Sequence, residues 1–127
     1  GVIRVAKRQA SASLLPIPST WRIVVSYGGR PTSGGELKLN TLSNQNVSGT
    51  LNFRGVPIPV QGIWNEQTNQ IQFRSPYAVF SGRLSTYREP GINHYMLQGN
   101  YASTVGSNFP GAVGNWEATT ATFHSSL

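Results

Sequence analysis

The chain has no aspartate and no cysteine, and its four glutamates stand singly along 127 residues. Without cysteine, disulfide bonds, thiolate metal ligands and cysteine nucleophiles are excluded. Catalytic acid–base pairs and metal centres need several carboxylates, imidazoles or thiolates that converge on one point. With four glutamates and two histidines spread along the sequence, we predict a protein that is not an enzyme and that holds no cofactor or metal.

Charged residues are also scarce, at 11%, whereas asparagine and glutamine together number seventeen. The net charge of +6 permits an acidic partner, but three of the ten cations, Arg4, Lys7 and Arg8, fall in the first eight residues. Since no nucleic-acid-binding motif accompanies this modest excess of arginine, the sequence argues against nucleic acid as the partner. No apolar run approaches the ~20 residues that span a bilayer as a helix, so no membrane span is predicted.

What recurs instead is a short segment in which apolar and polar residues alternate around a glycine. No segment carries a helical apolar period over eleven or more residues, whereas period-two segments return at short intervals between turn signals. The sequence thus predicts an all-β chain of eight strands, at Trp21–Tyr27, Glu36–Asn40, Val47–Phe53, Ile58–Trp64, Gln70–Arg74, Val79–Tyr87, His94–Ala102 and Asn115–Phe123.

Short links between successive strands favour an antiparallel up-and-down meander. Glycines at similar places in several strands let a sheet bend enough to close, and closure removes the exposed edges of a flat sheet. We therefore favour a closed barrel over the alternative, a sandwich or jelly roll. The prolines of Val56-Pro57-Ile58-Pro59-Val60 remove two donors on one side, which predicts a rim, a loop or a weakly paired seam there.

The first eighteen residues differ from the rest in composition, because they combine basic residues, Ala-Ser repeats and an apolar end. We divide the chain into a basic N-terminal arm, residues 1–18, and a single β-barrel domain, residues 19–127. The arm ends in apolar residues, and an extended apolar arm gains stability by packing on a neighbouring subunit. This predicts self-association to a dimer or tetramer, with residues 2–17 at the contacts. Because the arm lacks the continuous apolar stretch of a signal peptide, the secreted or periplasmic location that we favour needs a leader removed before Gly1.

Aromatic residues are the main candidates for a binding site. Trp21, Trp64 and Trp116 fall in early, central and late strands, and rings of this kind either fill a core or line the mouth of a ligand pocket. Amide side chains could supply the few polar groups that such a pocket needs. The candidate ligand-binding residues are Trp21, Trp64, Phe80, Tyr101, Trp116 and Asn115. Glu66, Glu89 and the two histidines are interpreted as solvated surface groups.

Two strand sequences resemble strands of the avidin/streptavidin family. Phe80-Ser81-Gly82-Arg83 is similar to the Trp-Ser-Gly-Gln strand of that family, and Leu97-Gln98-Gly99-Asn100-Tyr101 is similar to its Leu-Thr-Gly-x-Tyr strand. A tryptophan in the first strand and the rhythm of strands over residues 20–123 also agree. The resemblance implies an eight-stranded up-and-down barrel that binds a small molecule without chemistry. Lipocalin-like relatives of that barrel are an alternative, although the Gly-x-Trp opening of lipocalins is absent.

The biotin-contacting residues of that family do not carry over. The family has asparagine two positions after its first tryptophan, where this chain has Ile23, and its Gly-Thr-Tyr strand is here Gly49-Thr50-Leu51. The tryptophan of its Trp-Ser-Gly strand is Phe80, and its late aspartate cannot exist in a chain without any. The resemblance therefore implies the barrel without tight biotin binding.

Three functions remain open at this point. The first is a non-enzymatic binding protein with a small apolar ligand or a partner in an avidin-like or calycin-like barrel. The second is a lectin that binds a sugar on exposed tryptophan, tyrosine and amide side chains, and the third is a structural subunit of a homo-oligomer. A large lumenal cavity lined by rings would favour the first, a shallow exposed tryptophan patch the second, and a filled barrel with an extended arm the third.

Overall fold

Eight strands follow one another at the places where the alternating pattern predicts them. The computed structural model describes residues 14–104, 107 and 110–123, so residues 1–13 of the predicted arm and His124 lie outside the described residues. The strands are β1 (Ser19–Tyr27), β2 (Arg30–Ser43), β3 (Asn46–Asn52), β4 (Ile58–Asn65), β5 (Gln70–Arg74), β6 (Ala78–Glu89), β7 (Ile92–Ser103) and β8 (Val113–Phe123).

Each strand pairs antiparallel with the next, and β1 pairs with β8 to close the sheet into a barrel. The closing seam runs from Arg22 opposite Thr119 to Ser26 opposite Asn115. The prediction of an all-β, eight-stranded, up-and-down barrel is confirmed. The sandwich alternative is wrong, because in a sandwich the first and last strands would not complete one continuous ring.

The second strand is much longer than predicted, with 14 residues where five were expected. Gly34-Gly35, which stands just before the predicted strand, lies inside β2 opposite Val24 and Ile23. The actual turns lie on either side, at Gly28–Gly29 and at Asn44–Gln45, where all four residues have positive φ. A turn of two residues in this conformation joins antiparallel strands directly, so β2 continues from one turn to the other.

Six strand glycines point into the barrel, since each lies across from a buried or inward residue of a neighbouring strand. They are Gly35, Gly49, Gly62, Gly82, Gly99 and Gly114. A Cβ atom at any of them would come within 3.0 Å of a neighbouring strand. At Gly49 it would overlap the carbonyl oxygen of Lys38, and at Gly99 that of Ser81. The missing Cβ thus allows the close approach between strands that a small closed barrel requires.

The proline segment forms the predicted seam. Pro57 precedes β4, and Ile58 to Val60 pair with β3 alone in the described residues, since the pairing of β4 with β5 begins at Gln61 opposite Arg74. Proline has no N–H to donate to a second neighbour, so it is tolerated where the strand has only one. Val60 is buried and Ile58 half-buried, as the alternation predicts.

The up-and-down topology gives the barrel two different ends. At the loop end lie the connections 28–29, 53–57 and 75–77 and the described residues of the β7–β8 connection. At the N-terminal end lie the connections 44–45, 66–69 and 90–91, together with residues 14–18. Leu15 is 2% exposed and Ile17 packs against the core, so this part of the arm covers its own barrel. Of Leu14, Leu15 and Ile17, only Leu14 has an exposed side chain.

We predict that Gly99→Ala destabilises the protein by about 2 kcal/mol or more, because an added methyl group would overlap the backbone of β6 and force a shift in a packed interior. Gly34→Ala is the matched control. Its Cβ would meet only the carbonyl oxygen of Ile23, at an ordinary 3.9 Å, on the exposed side of β2. Urea unfolding should place the control within about 0.5 kcal/mol of wild type. Equal losses for both variants would contradict the role assigned to the inward glycines.

Candidate functional site

Four aromatic rings meet inside the barrel toward the loop end, and we call them the aromatic cluster: Phe73, Phe80, Tyr101 and Trp116. Phe73 and Phe80 lie opposite each other on β5 and β6 and stack with 4.8 Å between ring centroids and 10° between planes. Trp116 stands nearly perpendicular to both, at 5.4 Å and 5.7 Å. Offset stacking and edge-to-face contact are the favourable arrangements for aromatic rings.

The indole of Trp116 lies over the inward glycines of two neighbouring strands. Trp116 is opposite Gly99 on β7, and Gly99 is opposite Gly82 on β6. Its Nε1 donates to the carbonyl oxygens of Ser81 and Asn100, both at 3.1 Å. A Cβ at Gly82 would collide with the ring itself. The indole donor is therefore satisfied by backbone and is not available to a ligand.

The other two tryptophans lie at the opposite end of the barrel. Trp21 donates from Nε1 to Oγ of Ser19 at 2.7 Å and makes an edge contact with Tyr95 at 6.3 Å. Trp64 donates from Nε1 to Oε1 of Glu66 at 2.7 Å, while Oε2 of Glu66 accepts from the backbone N–H of Leu14 at 3.0 Å. Glu66 is exposed as predicted, but it also links the arm to β4. These contacts close the N-terminal end.

The structure thus brings together only part of the predicted ligand site. Phe80, Tyr101 and Trp116 belong to the aromatic cluster, Trp21 and Trp64 lie at the N-terminal end, and Asn115 is exposed on the outer wall. Phe73 belongs to the cluster but was not among the candidates. Its position directly opposite Phe80 depends on the register of β5 against β6, which follows from the short turn between them.

The rim of the loop end is aromatic and basic. Tyr27 and Tyr77 are about half exposed there, at 56% and 48%, and Tyr101 is partly exposed. Arg30 begins β2, Arg54 lies in the β3–β4 connection and Arg74 ends β5. We call these three tyrosines and three arginines the loop-end rim. Its described connections contain no carboxylate.

Local hydrogen bonds hold the connections of the rim in place. Oδ1 of Asn52 accepts from the N–H of Gly55 at 2.6 Å, which orders the β3–β4 connection beside Arg54. Oγ of Ser75 accepts from the N–H groups of Tyr77 and Ala78 at 3.1 Å and 3.2 Å. Thr104 donates from its N–H to the carbonyl oxygen of Tyr77 at 2.9 Å. The β5–β6 and β7–β8 connections therefore support each other.

Tyr101 belongs to both the aromatic cluster and the loop-end rim, because its ring packs on Phe80 and its hydroxyl lies near that of Tyr27. Burial raises the pKa of Tyr101 above its ordinary value, and the neighbouring hydroxyl of Tyr27 raises it further. Both effects disfavour the phenolate, the first by removing water and the second by repulsion between negative charges. At neutral pH, Tyr101 therefore presents a neutral hydroxyl that can donate or accept a hydrogen bond.

The carboxylates of the chain lie away from the rim. Glu89 is hydrogen-bonded to Nε2 of His94 at 2.6 Å at the N-terminal end, and Glu36 lies 3.9 Å from Nζ of Lys38 on the wall. In the part of the chain that the structure describes, no three ligating side chains gather as a metal site would require. None of the described residues forms a helix long and apolar enough to cross a membrane.

Two of the shallow depressions of the outer wall lie on either side of the middle of β7. One spans β4 to β7 and includes Arg83, Gln72 and Ser81, and the other spans β7, β8 and β1 and includes Glu117 and Asn115. Gln98 and Asn100 of β7 line both. The predicted site residue Asn115 belongs to this wall and does not face the lumen.

No protein-family model matches the chain, and no curated protein is significantly similar to it in sequence. Among solved structures, the crystal structure of a short afifavidin–biotin complex is similar, with a TM-score of 0.50 and 17% sequence identity. The match covers 83% of this chain and 90% of that chain. This likeness shows the fold, and the predicted resemblance is confirmed: the chain is an avidin-like barrel.

We predict that Tyr101 ionises at a pH above the ordinary tyrosine pKa, because burial disfavours its phenolate. Its raised pKa means that the folded protein holds this proton more tightly than the unfolded chain, so the resulting stability is present below the ordinary tyrosine pKa and is lost as pH rises through the folded value. Absorbance titration at 295 nm should show a late component that Tyr101→Phe removes. Tyr87→Phe, at a tyrosine 65% exposed, should leave that component in place.

Proposed function

We propose that this chain is a non-enzymatic binding protein that binds an anionic aromatic molecule at the loop-end rim. The observation that carries the proposal is the combination of three arginines and exposed tyrosine rings at one end of the barrel, where the described connections contain no carboxylate. Rings offer stacking surfaces and arginines offer hydrogen bonds to anions, so the two together suit a flat, negatively charged ligand.

The rim supports this function better than the lumen does. Phe80 and Trp116 are 3% and 2% exposed and pack on each other, so a ligand between them would have to displace core side chains. Core displacement of this kind costs several kcal/mol, roughly the loss seen when a buried aromatic ring is removed. The rim needs no such displacement because its rings are already exposed.

The sugar-binding alternative has less support. It calls for exposed tryptophan and tyrosine rings beside amide side chains, and all three tryptophans are at most 2% exposed, with every indole N–H bonded inside the protein. The exposed tyrosines of the rim, Tyr27 and Tyr77, lie at the end of the barrel that carries the three arginines. The depressions of the wall contain amides but no exposed tryptophan or tyrosine platform on which a sugar ring would stack. The filled interior meets one criterion for a structural subunit, but the extended arm that this alternative also requires lies outside the described residues. We therefore retain the small-molecule function, with the ligand at the rim and not in the lumen.

We predict that biotin, the ligand of the afifavidin complex, binds this chain weakly or not at all. Ile23, Leu51 and Phe80 stand where the resembled family has polar or indole contacts, and here they are buried apolar core residues. Each lost buried hydrogen bond costs ~1–3 kcal/mol, so the loss of several removes most of the affinity. Isothermal titration calorimetry should give no sub-micromolar binding. A nanomolar constant would place a functional ligand site in the lumen and overturn this view.

The proposed function is tested with 8-anilinonaphthalene-1-sulfonate as an anionic aromatic probe, titrated by fluorescence. Arg30→Gln with Arg54→Gln should weaken binding about fivefold or more, because each exposed cation contributes up to about 1 kcal/mol. The matched control is Arg22→Gln with Arg88→Gln, which makes the same change in net charge away from the rim. Tyr27→Ser should weaken binding as well, whereas Tyr87→Ser, at the N-terminal end, should not.

Amide chemical-shift mapping with the same probe locates the site directly. We expect the perturbed residues to lie in the connections 28–29, 53–57 and 75–77. Equal loss of affinity in rim and control variants, or shifts centred on the N-terminal end, would reject the rim as the binding site. An uncharged analogue, N-phenyl-1-naphthylamine, should bind less tightly than the sulfonate if the arginines contribute.

A further inference from the structure

The sixth strand extends well beyond its neighbour on one side. β5 has 5 residues and β6 has 12. Their pairing ends with Gln70 opposite Arg83, and one further bond joins the N–H of Leu84 to the carbonyl oxygen of Asn69 at 2.8 Å. From Ser85 to Glu89, β6 pairs only with β7 among the described residues. We call Ser85–Glu89 the open edge of β6, and at about 3.3 Å per residue it is roughly 16 Å long.

Two residues of the open edge direct their backbone groups away from β7. Leu84 donates its N–H toward β5, and strand residues two apart direct these groups to the same neighbour. Thr86 and Arg88 therefore face the side on which no described strand follows. Ser85, Thr86, Tyr87 and Arg88 are all exposed. The N–H and C=O groups of Thr86 and Arg88 thus form a template on which an extended chain adds a further strand.

The open edge has different side chains on its two faces. Thr86 and Arg88 point to the inner side of the sheet, whereas Tyr87 points outward, because successive side chains of a strand alternate. Nε of Arg88 donates to Oδ1 of Asn93 at 3.2 Å, which orients the guanidinium and leaves its other N–H groups for an anion. On the outer side, the ring of Tyr87 is 65% exposed and lies 5.6 Å from that of His94. A partner strand therefore meets a cation on one face and an aromatic ring on the other.

The charges beside the open edge favour a negatively charged occupant. Arg83 lies at its base and Arg88 near its tip, and neither forms a salt bridge in the part of the chain that the structure describes. The one carboxylate of the segment, that of Glu89, is hydrogen-bonded to His94 at 2.6 Å. With a net charge of +6, the chain attracts acidic partners and repels a second copy. The same repulsion disfavours the basic residues 1–13 as the occupant.

We propose that the open edge binds an acidic peptide segment in extended conformation, which adds to β6 as an antiparallel strand and continues the line of β5. Antiparallel pairing is the more stable arrangement per residue. The peptide residues opposite Thr86 and Arg88 exchange N–H···O bonds with them and carry acidic side chains on the face of Arg88. The residue between them is apolar and packs on Tyr87. This surface lies at the N-terminal end, so the inference goes beyond the ligand function proposed for the loop-end rim and does not rest on it.

The test is a titration of the ¹⁵N-labelled full chain with a blocked pentapeptide, Thr-Glu-Val-Glu-Thr, up to about 5 mM, followed by amide chemical shifts. The shifts should centre on Thr86 and Arg88. Hydrogen exchange at these two amides should slow about tenfold or more at saturation, since unpaired edge N–H groups exchange fast. The peptide with lysine in place of both glutamates should bind about fivefold more weakly. No shift at the two residues, or equal binding of the lysine peptide, would overturn the proposal.

Two N-methylated peptides form a matched pair that tests strand addition itself. In the antiparallel arrangement the N–H groups of both glutamates face β6, whereas the N–H of the valine faces away. Methylation of a glutamate N–H should weaken binding about fivefold or more, and methylation of the valine N–H should leave it within about twofold. Equal losses for the two peptides would reject backbone pairing.

Variants of the protein test the same contacts from the other side. Thr86→Pro removes an N–H that faces outward, where proline is tolerated, and should weaken binding about fivefold or more. Arg88→Gln should weaken it about threefold, whereas Arg54→Gln, the same change at the opposite end of the barrel, should bind like wild type. If Thr86→Pro does not fold, the methylated pair decides. Equal effects of the two arginine variants would contradict the proposal, as would amides of Thr86 and Arg88 already protected from exchange in the free full chain, since the edge would then be occupied.

Discussion

Closure of an eight-stranded sheet is possible here because six inward positions carry no side chain beyond hydrogen. At these positions the backbone of one strand approaches a carbonyl group or a ring of the next more closely than any Cβ would allow. The strands can therefore bend sharply, and the edges that a flat sheet would leave open are paired. The placement of the rings follows from this, since the indole of Trp116 lies on the surface that Gly82 and Gly99 leave free.

A barrel closed in this way has little interior to offer a ligand once its own aromatic rings are inside. The space that a binding barrel could use for a guest is occupied by Phe73, Phe80 and Trp116, which contact one another. The one polar side-chain atom among these three rings, Nε1 of Trp116, donates to backbone carbonyls, so the interior contributes stability and shape. For this reason the proposed ligand site lies at the loop-end rim, a surface that the fold orders but does not fill.

The few charged side chains of the chain are unevenly distributed over the surface of the barrel. Arg30, Arg54 and Arg74 lie at the loop end. Glu66 and Glu89 lie at the N-terminal end, where Glu66 accepts hydrogen bonds from Trp64 and from Leu14. On the wall, a cation and a carboxylate lie on either side of β7 at equal height. With so few charges, each side chain has a large effect on which molecule can approach each surface. The amide side chain of Gln98 between Arg83 and Glu117 keeps the wall polar and adds no net charge.

The sequence alone determined the number, order and type of the strands, because the period-two pattern and the turn residues are local properties of the chain. It also indicated closure, since glycines such as Gly99 and Gly114 recur inside strands, and it located the proline seam at Pro59.

The sequence did not reveal the length of β2, because Gly34-Gly35 is locally compatible with a turn and only pairing with β1 makes it part of a strand. Nor could it tell which tryptophans lie together. Trp21 and Trp116 both stand near the start of a strand, but β1 and β8 run in opposite directions, so the two rings lie toward opposite ends of the barrel. Only the register across strands decides that Phe73 stacks on Phe80, that Asn115 faces outward, and that Arg83 and Glu117 share one row, because those relations join residues far apart in the chain.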